Sequence, residues 1–431
     1  MDTNTTTGYT LNGSTVLPLG SSALPLRAPR DPKRVRGRIR RRFLLLMLAP
    51  LIIGGLIFLA TQFLMPTTRD IEIVPSSAVI GMDGDDVAVL VYHDDSRPGP
   101  FEAMFQMRVS AIRLSDGEQL WDQRLNEDLI GDAVVLAGDA SSVYIGSDHG
   151  LVILDAATGA VRVEGDGVPG IGADAVLSAS AYGYDPEVDA VVALTGSGAL
   201  VQIAVGSTQA VPADAAVTAR WQNTLGSGPF LDETVLTQQV EVAATPDGTR
   251  FEIVPVAEAV QRDALVITST DPAQVVRTEL VDARLLPVVG LEPRLGVLLE
   301  TGQFLPGDFA GIDADDVEAL LQQAFGAMPS VEHVVAPAGA GQGFVLVQHR
   351  ESVNADRVLL SSVDIATGKL IDTVEMQADA VRALTGPSGT TAVIAAAPES
   401  WSADRLLVLE DDGSFREVEV GAVPWWMVSF G

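Results

Sequence analysis

Short apolar runs follow one another along most of the chain, from Ile71 to its end. The runs are four to eight residues long, rich in Val and Ile, and closed by Gly, Asp or Pro, as in DVAVLVYH (86–93), LVILDA (151–156) and RLLVLE (405–410). Runs of this length and composition between turn-forming residues are typical of β-strands. The pattern predicts an all-β domain over residues 66–431.

One hairpin unit recurs within this region. Each copy is an apolar strand, a turn ending in Gly and a second strand: SAIRLSDGEQLWDQRL (110–125), GLVILDAATGAVRVEG (150–165), LSSVDIATGKLIDTVE (360–375) and LLVLEDDGSFREVEV (406–420). The glycine supplies the positive φ that a tight hairpin turn requires, and the Asp or Thr before it can hydrogen-bond to its own backbone. The turn glycines Gly117 and Gly159 lie 42 residues apart, and Gly368 and Gly413 lie 45 apart.

A hairpin period of about 40–45 residues is the spacing of β-propeller blades. Weaker glycine turns at Gly198, Gly248 and Gly302 fill the middle of the region. At about 45 residues per blade, the length predicts a seven- or eight-bladed propeller. In DADDVEALLQQAFG (313–326) the apolar residues fall on one helical face, which predicts a short helix inserted between strands.

The hairpin units resemble the PQQ-like, or quinoprotein-type, propeller repeat. The segment SVYIGSDHGLVILDAATGAVRVE (142–164) is similar to that family's pattern of strand, Asp-x-Gly, ALD-x-x-TG and strand. Trp121 falls where the family's blade-docking tryptophan sits, and the resemblance implies an all-β propeller of the PQQ/WD40-like kind. It also suggests a quinone-dependent dehydrogenase. Those enzymes typically carry adjacent cysteines near the cofactor, whereas this chain has no cysteine, so we expect no cofactor.

The sequence before the domain predicts a membrane anchor. Residues 43–65 (FLLLMLAPLIIGGLIFLATQFLM) contain no ionisable side chain, and as a helix they would be about 34 Å long, enough to cross a hydrocarbon core of about 30 Å. A cleaved signal peptide is the alternative. Its apolar core would be about 7–15 residues long and followed by a small-x-small site, which the following residues do not clearly provide.

Charge predicts the orientation of this helix. Residues 1–42 carry nine basic and two acidic side chains, and residues 66–431 carry 18 basic and 55 acidic side chains, a net charge of −37. Basic residues that flank a membrane helix remain in the cytoplasm, so residues 1–42 are expected to be a disordered cytoplasmic tail and the domain to lie outside. The basic residues nearest the helix are Arg36, Arg38, Arg40, Arg41 and Arg42. Binding to nucleic acid or a partner protein is the alternative to contact with anionic lipid headgroups.

The densest group of possible metal ligands lies in MDGDDVAVLVYHDD (82–95). It comprises Asp83, Asp85, Asp86, His93, Asp94 and Asp95. The two halves of this group flank one predicted strand, and the spacing does not fit a Ca²⁺-binding loop. We interpret these residues as a solvated surface cluster, since Asp is common in turns.

No catalytic, cofactor-binding or metal-binding residue is predicted. The sequence contains no HExxH or GxSxG motif. GAGQG (339–343) precedes a predicted strand, whereas a phosphate loop precedes a helix. PWWMVSFG (424–431) is expected to help close the propeller ring by pairing with the first strands.

These observations favour a non-catalytic platform for protein interactions in the cell envelope. The acidic domain is expected to bind an envelope protein partner as a monomer and to repel nucleic acid. The alternative is a small-ligand sensor or an enzyme that uses the central channel of the propeller.

Overall fold

A computed structural model describes the chain in two units, Met1–Thr67 and Thr68–Gly431. In the first unit, β1 (Thr10–Leu11) pairs with β2 (Ser14–Thr15), within the tail predicted to be disordered, and Leu48 is helical. The structure describes these five residues and residues 71–94, 106–126, 132–222, 225, 242–245, 248–256, 262–270, 273–286, 288–289, 294–295, 343–400 and 402–421. Within them, no helix is long and apolar enough to cross a membrane. The predicted span 43–65, apart from Leu48, and the predicted helix 313–326 lie outside the described residues.

The second unit consists of antiparallel sheets in which consecutive strands are mostly neighbours. The first sheet contains β3 (Ile71–Ile73), β4 (Ala78–Met82), β5 (Asp85–Asp94), β6 (Gln106–Arg113) and β7 (Gln119–Asn126). The second sheet contains β8 (Ala133–Gly138), β9 (Ser142–Ser147), β10 (Gly150–Asp155) and β11 (Val161–Glu164). The third sheet contains β12 (Tyr182–Asp185), β13 (Ala190–Leu194), β14 (Leu200–Ala204) and β15 (Val211–Pro212).

Three short 3₁₀ helices (Gly165–Gly167, Gly172–Asp174 and Ala179–Ala181) lie between the second and third sheets, and helix α1 (Ala215–Trp221) follows the third. The fourth sheet contains β16 (Val242–Ala244), β17 (Arg250–Pro255), β18 (Arg262–Thr270) and β19 (Ala273–Leu285). Two short strands follow, β20 (Val288–Val289) and β21 (Arg294–Leu295). The fifth sheet adds β22 (Phe344–Arg350), β23 (Val358–Asp364) and β24 (Leu370–Met376). The sixth contains β25 (Arg382–Thr385), β26 (Thr391–Ala395), β27 (Arg405–Leu409) and β28 (Phe415–Val418).

Strand β19 belongs to two sheets. Its first part pairs with β18, and its last residues pair with β22, so it is both the fourth strand of the fourth sheet and the first strand of the fifth. The change of partner occurs at Asp282, whose φ is +48°. A positive φ at a non-glycine residue turns the strand locally. One continuous strand therefore links two sheets into a single seven-stranded ladder.

Strands β4, β8, β12 and β25, which we call the first strands of the first, second, third and sixth sheets, approach one another. β4 approaches β8 and β25, and β8 approaches β12. Strands β4 and β8 are almost completely buried, whereas β11 and β24 consist mostly of exposed and partly buried residues. We call the line around which the first strands gather the axis.

Apolar side chains pack the sheets face to face around this axis. The first sheet packs against the second, the second against the third, the fourth against the fifth, the fifth against the sixth, and the sixth back against the first. Burying both faces of a sheet in this way is how propeller blades form a core. The predicted all-β class is therefore confirmed for the described residues, which contain six blade-like sheets; closure into a propeller and the total of seven or eight blades stay predictions.

The recurring turns form as predicted. Gly117, Gly159, Gly368 and Gly413 all have φ between +68° and +85°. In the copy at Gly159, the Thr158 N–H and hydroxyl both donate to Asp155 Oδ1 at 3.0 and 2.9 Å, and Gly159 N–H donates to the Asp155 carbonyl at 2.8 Å. The copy at Gly368 repeats these three hydrogen bonds with Asp364 and Thr367. The Asp-x-x-Thr-Gly sequence thus specifies this turn locally.

Candidate functional site

Hydrogen bonds join the first strands of three sheets near the axis. The Ser76 hydroxyl, just before β4, donates to the Ala133 carbonyl of β8 at 2.6 Å, and Val135 N–H of β8 donates to the Ser76 carbonyl at 3.1 Å. From the sixth sheet, Arg382 Nη1 donates to the Pro75 carbonyl at 2.8 Å. Ser76 and Arg382 are both buried. Because buried polar groups require partners, these bonds fix the relative positions of the second, first and sixth sheets.

Two short strands that follow the fourth sheet pair with strands of other sheets. We call residues 286–295 the axial strap; its described residues are 286, 288–289 and 294–295. Leu286 N–H donates to the Leu346 carbonyl of the fifth sheet at 3.1 Å. Strand β20 then pairs in parallel with β25, the first strand of the sixth sheet, and β21 pairs antiparallel with β12, the first strand of the third.

The described residues of the axial strap therefore pair with the first strands of the third and sixth sheets. The third and sixth sheets lie on different sides of the first and second sheets in the packing order. A propeller that binds a small ligand at its centre needs the inner edges of its first strands to face an open channel. Here the inner edges of β12 and β25 carry strands of the same chain.

Trp121 connects the first sheet to the second. Its indole Nε1 donates to the Ala156 carbonyl at 2.6 Å, and its ring packs so closely on Gly159 that a Cβ there would clash with it. The same arrangement recurs with other side chains. Thr278 donates to the Gly368 carbonyl and Ser362 to the Gly413 carbonyl, each at 2.5 Å. Each of these three turn glycines thus receives a side chain from the preceding sheet.

Hydrogen bonds also join the sixth sheet to the first. Asp86 of β5 is buried, and its carboxylate accepts hydrogen bonds from Ser388 N–H at 3.0 Å and Thr390 N–H at 3.1 Å. Arg416 Nη2 donates to the Leu114 carbonyl at 2.5 Å, beside Gly117. Ile73 N–H donates to the Ala403 carbonyl at 2.6 Å. The last sheet is therefore held to the first by hydrogen bonds as well as by apolar packing.

The predicted acidic surface cluster is divided by the structure. Asp83 and Asp85 lie at the turn between β4 and β5, where Asp85 is exposed and lies 3.5 Å from Arg113 Nε. His93 and Asp94 lie at the other end of β5, which at about 3.4 Å per residue is about 27 Å away. Asp86 is buried, in contrast to the surface position predicted for it, because it binds the turn of the sixth sheet. Asp95 and the basic residues at 36–42 lie outside the described residues.

His349 is buried and belongs to a hydrogen-bond network across the fifth sheet. Its Nε2 lies 2.9 Å from Ser361 Oγ, which lies 2.7 Å from Thr373 Oγ1, and its Nδ1 lies 3.2 Å from the Arg350 carbonyl. Burial lowers the pKa of His349. A His–Ser pair can serve nucleophilic catalysis when the serine is accessible. Here both side chains are buried, so the network serves strand pairing.

Tyr92, Asp122 and Arg108 form a second network in the first sheet. The buried Tyr92 hydroxyl donates to Asp122 Oδ2, and Arg108 Nε donates to Asp122 Oδ1 at 2.8 Å. Burial and the charge of Asp122 raise the pKa of Tyr92 far above its usual range. The phenol thus stays protonated and donates to the carboxylate.

Helix α1 covers the face of the third sheet that points away from the second. Val217 and Trp221 of the helix pack with Val192 of β13. Buried Asp185 accepts hydrogen bonds from Arg220 Nη2 at 2.7 Å and Trp221 Nε1 at 2.8 Å. Burial alone would raise the pKa of Asp185, but these hydrogen bonds outweigh it, and the pKa is lowered. The first, second, fifth and sixth sheets carry a neighbouring sheet on each face, whereas this face of the third sheet carries a helix.

In the described parts of residues 71–421, no group of three His, Asp or Glu side chains could hold a metal ion. The segment PWWMVSFG and all of GAGQG except Gly343 lie outside the described residues. The chain ahead of PWWMVSFG does approach the first sheet, since Val420 packs in the same apolar cluster as Ile71.

No protein-family model matches this chain, and no curated protein matches its sequence. Among solved structures, it is similar to BamB from Moraxella catarrhalis, with 14% identity, a TM-score of 0.22, and coverage of 84% of this chain and 99% of that chain. PorZ, a surface component of the type-IX secretion system of Porphyromonas gingivalis, has 9% identity and a TM-score of 0.21, and the match covers 83% of this chain and 39% of that chain. Quinohemoprotein alcohol dehydrogenase ADHIIG from Pseudomonas putida HK5 has 12% identity and a TM-score of 0.19, and the match covers 76% of this chain and 57% of that chain. Overlaps of this size do not establish a shared function.

Three features of this region were not predicted from the sequence: the axial strap, the buried position of Asp86, and helix α1. Only the helix carries a local signal. Asp214 is its N-cap, with Oδ1 accepting from Val217 N–H at 2.8 Å, and Val217 and Trp221 follow at helical spacing.

Proposed function

We propose that this protein is a single-pass, membrane-anchored propeller that serves as a non-catalytic platform for protein interactions outside the cytoplasmic membrane. The observation that carries this proposal is the axial strap, because strands of the chain occupy the inner edges of β12 and β25, where an open channel would bind a small ligand. The buried His349–Ser361 pair is likewise closed to a substrate. Binding is then expected on the outer surfaces of the sheets and turns.

The anchor and its orientation rest on the sequence. The apolar stretch 43–65, the basic residues before it and the net charge of −37 after it favour an N-terminus in the cytoplasm and a propeller outside. An acidic domain held at the membrane attracts basic partners and repels nucleic acids. We therefore propose an envelope protein with a basic surface as the partner, bound by a monomer.

The partner is tested by affinity capture of the full chain from detergent-solubilised membranes. A chain ending at residue 65 serves as the control, because it retains the tail and anchor but lacks the propeller. We expect at least one protein to be enriched by the full chain alone and to be released as ionic strength rises, since screening weakens contacts between opposite charges. If no protein is enriched while a small molecule raises the melting temperature, the alternative of a ligand sensor or enzyme is favoured.

The orientation is tested with protease added to intact spheroplasts. We expect cleavage beyond about residue 70 and protection of the tail, because only segments outside the membrane are accessible. Protection of the C-terminal region would overturn the proposed topology.

A further inference from the structure

Asp–Gly pairs are chemically labile points in a polypeptide. Glycine has no side chain to hinder attack of its backbone nitrogen on the carboxyl group of the aspartate before it. The sequence contains five such pairs, at 83–84, 116–117, 166–167, 247–248 and 412–413. The structure describes all of them except Asp247. Because attack requires a glycine N–H and a carboxyl group that are free of other partners, the fold determines which pairs can react.

Hydrogen bonds protect the pair Asp116–Gly117. The Gly117 N–H donates to the Arg113 carbonyl at 2.9 Å. The Asp116 carboxylate accepts from Glu118 N–H at 2.9 Å and from Arg113 Nη1 at 3.0 Å. Both reacting groups are therefore occupied, and these hydrogen bonds must break before the nitrogen can reach the carboxyl carbon.

Two further pairs are held by their local structure. The Gly413 N–H donates to the Glu410 carbonyl at 2.9 Å, and the Asp412 carboxylate accepts from the Ser414 N–H and hydroxyl at 2.9 and 2.6 Å. The pair at 166–167 lies in a 3₁₀ helix, in which N–H groups bond to the carbonyl three residues earlier. Its glycine N–H is therefore restrained, although its aspartate is exposed.

The pair Asp83–Gly84 has no such protection. It forms the two-residue turn between β4 and β5, whose last and first residues, Met82 and Asp85, are register partners. The φ angles are +52° at Asp83 and +91° at Gly84, as in a type I′ turn. Among the described residues, none bonds to the Asp83 carboxylate or the Gly84 N–H. Both residues are exposed, and a Cβ on Gly84 would have no atom within 4 Å.

We propose that Asp83–Gly84 is a site of backbone isomerisation, at which aspartate converts to isoaspartate faster than at the other described Asp–Gly pairs. The Gly84 nitrogen bonds to Cγ of the protonated Asp83 carboxyl group and loses its proton, and a carboxyl oxygen leaves as water, which gives a cyclic imide. Water then adds to the Asp83 backbone carbonyl carbon, and the bond from that carbon to the Gly84 nitrogen breaks. The chain now runs through Cβ and Cγ, and the water released in the first step balances the water consumed in the second. This inference does not depend on the proposed function.

The site lies beside the junction of the first and sixth sheets. Asp86 accepts hydrogen bonds there from Ser388 and Thr390 N–H. On β4, a Cβ added to Gly81 would lie 3.4 Å from Pro387 Cγ. Isoaspartate lengthens the backbone of the turn by one carbon, and a two-residue turn sets the register of its strands. Isomerisation should therefore displace Asp86 and loosen this junction.

Incubation in water enriched in heavy oxygen tests the site, because each hydrolysis of the imide places one solvent oxygen in the product. The full chain is incubated in detergent at mildly acidic pH, and its peptides are analysed by mass spectrometry. We expect labelling at Asp83 to be roughly tenfold or more faster than at Asp116 and Asp412, since hydrogen bonds must break at those pairs first. Equal labelling of the three in the folded protein would overturn the proposal.

The same incubation in urea is the control. Unfolding removes the protecting hydrogen bonds, so the three aspartates should then be labelled at similar rates. An equally strong preference for Asp83 in urea would also overturn the proposal, because neighbouring residues and not the fold would then set the selectivity.

Amide hydrogen exchange of the chromatographically separated isoaspartate form tests the effect on the junction. We expect faster exchange at Ser388 and Thr390 than in the unmodified protein. The Gly159 N–H, which bonds within a turn of the second sheet, should be unchanged and serves as the control. Unchanged exchange at Ser388 and Thr390 would contradict the proposed loosening.

Discussion

The first and third sheets differ in what packs against their two faces. The first packs on sheets from both sides, and Trp121, Asp86 and Arg416 add specific hydrogen bonds at its two junctions. The third packs on a sheet from one side and on helix α1 from the other. Since sheet-on-sheet burial excludes water from larger apolar areas than one short helix can, the first sheet should be the more stable part of the ring.

The largest effect is expected from Trp121→Ala, which removes the side chain that joins the first sheet to the second. Truncating a buried tryptophan costs about 3–5 kcal/mol, measured as the free energy of unfolding in urea. Trp121→Phe is the control that keeps an aromatic ring on Gly159 and loses the hydrogen bond to Ala156. Equal losses in the two variants would argue against the ring contact as the main contribution.

A somewhat smaller loss is expected from Asp86→Ala at the junction of the first and sixth sheets. The substitution removes the hydrogen bonds from Ser388 and Thr390 N–H to the carboxylate. Since Ser388 is exposed and its N–H can bind water instead, we expect a loss of about 2–3 kcal/mol. The exposed neighbour provides the control, because Asp85→Ala should change stability by about 0.5 kcal/mol or less. If the two variants had the same free energy of unfolding in denaturant titrations, Asp86 would not stabilise the junction of the first and sixth sheets.

On the third sheet, Asp185→Asn should weaken the attachment of helix α1 by about 1.5–3 kcal/mol, the range for hydrogen bonds to a charged group. The folded-state pKa of Asp185 is lowered from 3.8, so its ionised form stabilises the fold above that value, and this contribution is lost as pH falls below it. Urea titrations at neutral pH and near pH 3 should therefore show a larger difference between wild type and D185N at neutral pH. The same difference at both values would exclude this role for the carboxylate.

The smallest effect is expected from protonation of His349. Its folded-state pKa is lowered from 6.5 by burial, so the unfolded chain takes up the proton first, and stability falls as pH drops below 6.5. One such group gives a slope of at most about 1.4 kcal/mol per pH unit. Comparison of wild type and H349Q between pH 7.5 and 5 measures that slope. If the two proteins have the same slope, His349 is not the group responsible.

Sequence reasoning succeeded where structure is specified by neighbouring residues. The turns at Gly159 and Gly368 could be predicted because Asp, Thr and Gly at fixed spacing provide both the hydrogen bonds and the positive φ. Short apolar runs rich in Val and Ile likewise predicted the strands, because their length, composition and flanking turn residues are local properties.

Sequence reasoning failed where a residue's interaction partner lies far away in the chain. Asp86 was interpreted as a surface residue because its acidic neighbours suggest a solvated turn, but the N–H groups that it binds lie 302 and 304 residues away. The axial strap was missed for the same reason, since strands of two residues leave no periodic pattern and their partners belong to other sheets. Local patterns carry no information on such pairings.

Native-state amide hydrogen exchange of the full protein tests the central comparison most directly. The N–H groups of Ile73, Ser388 and Thr390 hold the first and sixth sheets together, and those of Thr218 and Gln222 form hydrogen bonds in helix α1 and at its C-terminal end. We predict that the first group exchanges only through global unfolding, whereas the second exchanges through local opening at lower free energy. Exchange at Ser388 and Thr390 as fast as in helix α1 would contradict this account.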